Sequence, residues 1–142
     1  MKIKLHPINR SGKDNRYCGP AVVSFLTGLN TADISRTMRA RSGRTMITGS
    51  EFSEFEFILN AHDIYVAYHH YIDRDTRPTL AAWAKNRDRS GETTYLVVAG
   101  NHWQIVQGIR YACGRIGEIC SIRDKRIKRR ARVQEIYILE KR

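Results

Sequence analysis

The hydrophobic period of this chain changes between residues 86 and 93, and that change limits the fold. Ahead of it, apolar residues recur one helical turn apart. Ala21, Val22, Phe25 and Leu26 do so from Cys18 to Thr27, Ile34 and Met38 in a segment closing near Arg41, and Phe52, Phe55, Ile58 and Leu59 further on. Pro20 suits a first turn, where a missing N–H costs nothing, and Gly28 is a natural stop. Thr31 or Asp33 is expected to cap the second helix, Ser50 the third, and Thr79 or Pro78 a short fourth through Trp83. Ile64 to Tyr68 alternates like a strand. Behind the change, Thr93 to Ala99 is almost continuously apolar and reads as a strand covered on both faces. Gly100-Asn101 signals a two-residue hairpin, and His102 to Ile109 alternates. A strand near Glu118 to Arg123, a basic turn and a last strand, Val133 to Leu139, complete the chain. Helices first and antiparallel strands later predict an α+β fold, and 142 residues without a linker or repeat predict one domain, 1–142.

Two residues in this pattern carry chemistry. Cys18 stands at the head of the first helix and His102 at the head of a late strand. A helix N-terminus favours negative charge, so a thiol there is easier to ionise. A histidine brought beside it can hold the proton. The plainer alternatives are a space-filling cysteine beneath Tyr17 and an unpaired strand histidine. Trp103 would shield the pair from water, and Gln104, two residues on, would line the same cleft.

Tyr17-Cys18-Gly19-Pro20-Ala21, with a helix ending at Thr27-Gly28, resembles the nucleophile helix of papain-like cysteine peptidases. The nearest look is to the bacteriocin-processing branch and to small phage-encoded proteins of that type. Gly100-Asn101-His102-Trp103 with its apolar run and Gly108 is similar to their histidine strand. The resemblance implies N-terminal helices, the nucleophile helix among them, packed on a C-terminal antiparallel sheet. It implies Cys18 as nucleophile, His102 as general base and then general acid, and a polypeptide or related acyl substrate. A third residue on a later strand would orient the imidazole, and Asp124 fits that place; otherwise it is a turn residue neutralised by its basic neighbours. The family commonly places a glutamine ahead of the nucleophile. Here Gly12 stands there, between Ser11 and Lys13, which leaves Asn15, or Asn9, to supply an oxyanion donor.

Charge points to a second reading. The net charge is +11 and seven of the ten residues from Arg123 to Arg132 are Lys or Arg. Lys125, Arg126, Lys128, Arg129, Arg130 and Arg132 form either an electrostatic footprint for nucleic acid or an acidic host protein, or a solvated loop. On this reading the chain is a non-catalytic binding module of the same fold. The three cysteines, Cys18, Cys113 and Cys120, are an odd set for a disulfide framework. His62, His69 and His70 lack metal-ligand spacing, Gly-rich phosphate loops are missing, and no cofactor is expected. Glu51, Glu54 and Glu56 read as a solvated helix face. The tyrosines Tyr65, Tyr68 and Tyr71 read as sheet packing before a base-stacking platform. The N-terminus carries no apolar signal core, and runs such as Tyr95 to Ala99 are too short to span a bilayer. The expected location is the cytoplasm, a host's cytoplasm if the protein is phage-encoded.

Overall fold

Gly28 ends the first helix as its sequence suggests: with φ of 80° it takes the left-handed conformation that stops α1 (Cys18–Thr27). The structure, a computed structural model, describes residues 2–10, 18–43 and 50–142. Almost all of α1 is buried, so this short helix is held by packing more than by propensity. Its neighbour α2 (Thr31–Ser42) is capped by Asn30, whose side chain accepts from the Ala32 N–H at 2.9 Å. The expected caps Thr31 and Asp33 are therefore inside the helix. The third expected helix is split. Glu51, not Ser50, opens a 3-10 turn at Phe52–Glu54 through a reciprocal bond with Glu54, and α3 (Glu56–Ala61) starts only after Phe55 leaves the helical region. Thr79 caps α4 (Leu80–Lys85), accepting from the Ala82 N–H at 3.1 Å.

The six strands are β1 (Ile64–Tyr71), β2 (Thr94–Ala99), β3 (His102–Gln107), β4 (Arg110–Ala112), β5 (Ile119–Ser121) and β6 (Val133–Lys141). They form one antiparallel sheet in the order β1-β6-β2-β3-β4-β5. The fold is α+β. Gly100 and Asn101 both have φ of 59°, as a two-residue hairpin between β2 and β3 requires. The alternation expected to run through Ile109 ends earlier, because the chain reverses at Gly108-Ile109 and β4 follows at once.

Both faces of the sheet are covered. On one, α1, α2 and the junction ahead of α3 pack Val22, Phe25, Met38 and Phe55 against Leu96, Val98, Trp103, Ile105 and Tyr137. On the other, Leu80 of α4 and Ile127 of the basic segment pack against Tyr95, Val97, Val106, Tyr111 and Val133. This explains why β2 is apolar throughout and buried along its whole length. The basic segment is folded onto the sheet: Leu80 N–H donates to Ala131 O at 2.8 Å and Val133 N–H to Pro78 O at 2.9 Å. Among the described residues no helix is long and apolar enough to cross a membrane.

Candidate active site

The ladder between β3 and β4 stops at the pair Ile105–Ala112, and the head of α1 fills the gap beyond it. A Cβ added at Gly114 would lie 2.6 Å from Ala21 Cβ and 3.6 Å from Cys18 Cα, so only glycine lets helix and sheet meet this closely. Gly19 is equally constrained, since its Cβ would lie 2.6 Å from Ser50 Oγ. Wedged there, the half-buried Cys18 sulfur faces the backbone N–H of Trp103, its own N–H and that of Gly19. Burial pushes the thiol up, the three N–H groups pull it down without overcoming burial, and Cys113 adds to the upward push. The helix start therefore does not leave Cys18 ionised. Cys113 and Cys120 are free thiols as well.

His102 precedes Trp103, and by strand alternation its side chain leaves the sheet on the α4 side with Gln104 and Val106, opposite Trp103. Its Nε2 is buried and has no hydrogen-bond partner among the described residues. Burial holds the imidazole down to about 4, and the positive charges of Arg115 and Lys128 act the same way. Thiol and imidazole rest as neutral groups near pH 7, with no hydrogen bond between them among the described contacts. Gln104 does not line a cleft. It is buried, donating from Nε2 to the carbonyls of Ala99 and His102 at 3.2 Å each, while Tyr111 Oη donates to its Oε1. That network fixes the backbone behind His102.

The described contacts give Asp124 to Arg126 and not to His102. Its carboxylate accepts from Arg126 through the backbone N–H at 2.9 Å, Nε at 3.0 Å and Nη2 at 2.9 Å. These bonds hold it down to about 2. The turn neighbour expected to neutralise it has done so, and no bond joins it to His102. Asn15 and the segment around Gly12 lie outside the described residues. Asn9 does not reach the thiol; its Nδ2 donates to Gly28 O at 3.3 Å and its Oδ1 accepts from Asn30. The basic run is dispersed as well. Arg126 is paired with Asp124 and Glu118, Arg129 donates to the carbonyls of Asp124 and Ile122, and Arg132 donates to Arg77 O. Lys125, Lys128 and Arg130 remain exposed.

No local pattern in the sequence announces the hollow near this site, and neither Cys18 nor His102 is in its lining among the described residues. A cavity of about 810 Å³ opens on the helical face, with Ser50 and Trp103 at the end nearest Cys18. Trp103 Nε1 donates to Ser50 O at 2.9 Å, and Phe52, Phe55 and Tyr137 surround its ring. Further along, His69 stacks on Tyr137 with ring centroids 4.1 Å apart and bonds Glu135 at 2.9 Å. Glu51 is exposed, as a solvated helix face requires, and Glu54 and Glu56 are half-buried; Glu51 and Glu56 have a second part as well. They line this hollow with Glu135, and burial together with these three carboxylates raises the Tyr137 phenol. Among the described residues no Lys or Arg pairs with any of the three, and no group of three or more His, Cys, Asp or Glu is placed to hold a metal. Comparison with protein-family models, with curated proteins and with solved structures found no match for this chain.

Proposed function

We propose that this protein is a cysteine hydrolase of peptide or related acyl bonds, built on a papain-like plan, with Cys18 as nucleophile and His102 as its base. The observation that carries the reading is the seat of the Cys18 sulfur. The backbone N–H groups of Trp103, Cys18 and Gly19 favour a thiolate there against the larger effect of burial, and the first of them belongs to the strand whose head bears His102. Since both groups rest neutral, the proton moves as attack occurs and not before it. The Sγ–H proton passes to the imidazole, the Sγ–C bond forms, and the carbonyl oxygen takes the charge. The imidazolium then protonates the leaving amine, and water, deprotonated by His102, releases the acid from the thioester. Catalytic hydrogen bonds are often long before substrate binds and tighten in the complex. The lining by Glu51, Glu56 and Glu135 beside aromatic rings suits a substrate with a Lys or Arg side chain near the scissile carbonyl.

The test is covalent trapping with a peptide vinyl sulfone, read by intact mass and peptide mapping. The adduct is expected on Cys18 and not on Cys113 or Cys120, and it is expected to form far more slowly in His102→Ala. Equal rates in the two proteins would remove His102 from the mechanism. The binding-module reading is favoured by a different observation, the neutral pair with Asp124 turned away from it. It predicts no adduct on Cys18 with any acyl probe.

A further inference from the structure

The face of the sheet away from Cys18 carries its own cavity, of about 340 Å³, beneath α4. Its floor is aliphatic: Leu80 and Ile127 are buried, and Ile122 and Ile109 close the sides. Ile109 is 73 % exposed, a large apolar side chain left at the rim. Around the floor stand Lys85, Arg87, Arg89, Arg123 and Arg129, with no carboxylate in the lining.

The cations around this cavity are held differently from those in ion pairs, and in the same way as Arg10, Arg77, Arg115 and Arg132, which also donate to carbonyls. Arg36, Arg126 and Arg142 each pair with a carboxylate. Around this cavity the guanidinium groups donate to neutral carbonyls instead: Arg87 Nη1 to Asp88 O, Arg89 Nη2 to Lys85 O, and Arg129 to Asp124 O and Ile122 O. Those bonds fix position through neutral acceptors, with no direct carboxylate pair among the described residues, while Asp88 acts on Arg87 and Asp124 on Arg129 as more distant charges. Asp88, next to Arg87, is turned onto Ser90 and Thr93, at 2.9 Å and 2.6 Å. Arg87 Nε is buried and has no hydrogen-bond partner among the described residues. Burial and the neighbouring Arg89 both disfavour the Arg87 charge, a cost that a bound anion would relieve.

We infer that this cavity binds an acidic peptide segment, seating one large apolar side chain on the aliphatic floor while its carboxylates meet the ring of Lys85, Arg87, Arg89, Arg123 and Arg129. Guanidinium forks match carboxylates in two-point contacts. Single-stranded nucleic acid is the other polyanion to weigh. Its bases are held by stacking on aromatic rings, and no aromatic side chain lines this cavity among the described residues. The basic run is also no continuous track for phosphates, because Arg126 is neutralised and Arg132 faces a separate hollow with Tyr71 and Arg77. The site is independent of the Cys18 chemistry.

The experiment is fluorescence anisotropy at two salt concentrations with three labelled probes of equal net charge. One is a Glu/Asp-rich peptide with a single central Leu, the second has Ser in place of that Leu, and the third is oligothymidylate. The Leu peptide is expected to bind about tenfold more tightly than the Ser peptide, the effect of burying one such side chain. Lys85→Glu combined with Arg123→Glu, both on exposed residues, is expected to weaken the Leu peptide at least about tenfold, as loss of complementary charges does. Ile109→Ser should narrow the gap between the two peptides. Circular dichroism checks that the variants stay folded. Tightest binding by oligothymidylate, equal binding of all three probes, or a charge-reversed variant that binds unchanged would each overturn the proposal.

Discussion

On the helical face, the hollow beside Cys18 is aromatic and holds Glu51, Glu56 and Glu135. On the opposite face, the hollow beneath α4 is aliphatic and holds five cations. One sheet separates them, with β2 buried on both sides. A net charge of +11 would suggest a uniformly positive surface, yet among the described residues one hollow is lined by Glu51, Glu56 and Glu135 and the other by Lys85, Arg87, Arg89, Arg123 and Arg129. Net charge sets long-range attraction, but local charge decides which ligand settles where.

If the faces act separately, a change on one leaves the other's readout intact. The largest effect is expected from His102→Ala. It should slow modification of Cys18 by about 10²- to 10⁴-fold, the usual worth of a positioned base, while binding of the Leu peptide stays as in the parent protein. A matching loss of peptide binding would show the faces to be coupled. Phe55→Ala comes next. Phe55 is fully buried against Phe52 and Trp103, so its removal should cost about 3–5 kcal/mol in urea unfolding. Gly114→Ala drives a methyl into Ala21 and should cost about 1–3 kcal/mol. It pushes α1 out of the β3–β4 gap, so the rate of Cys18 modification should fall with it. If stability drops and that rate holds, the wedge does not set the thiol.

A smaller effect separates the faces by pH. His102 is held down to about 4 from an ordinary 6.5, so the folded state resists the proton that the unfolded state accepts. Its contribution is complete above about 6.5 and is lost as pH falls towards 4. Urea midpoints measured from pH 7 to 4 should decline less steeply in His102→Gln than in the parent. Identical slopes would mean that the imidazole is not held neutral. The smallest effect is expected from Glu56→Gln. It should raise KM for a Lys-containing substrate a few-fold, leave kcat alone, and leave a Glu-containing substrate unaffected, as befits one charge in a partly solvated groove.

What could be read from the sequence follows the range of the forces involved. The first helix, its stop at Gly28, the hairpin at Gly100-Asn101 and the buried strand after Thr93 rest on local geometry and periodicity, and all are present. β4 was hidden because three residues after a tight turn carry too little pattern to separate them from β3. The split at Phe55 was hidden because Phe52, Phe55 and Ile58 keep helical spacing across it. Asp124 stays open between two roles in the sequence because a short turn lets Arg126 compete for its carboxylate, and spacing along the chain does not say which partner wins. Neither hollow has a local signature. One needs β1 beside β6, and the other needs residues 80–89 to meet residues 109–129.

The wedge of α1 between β3 and β4 also bears on the order of folding. The β2–β3 hairpin closes through a two-residue turn, an event of microseconds in isolated hairpins. His102 and Trp103 are thus placed early by neighbours in the chain. Cys18 arrives from the far end, and docking it must close a long loop before any contact rewards the closure. The sulfur has the N–H groups of Cys18 and Gly19 once α1 forms, and it gains that of Trp103, together with its burial, only when the helix seats. Reactivity at Cys18 then serves as a clock for the last step of assembly.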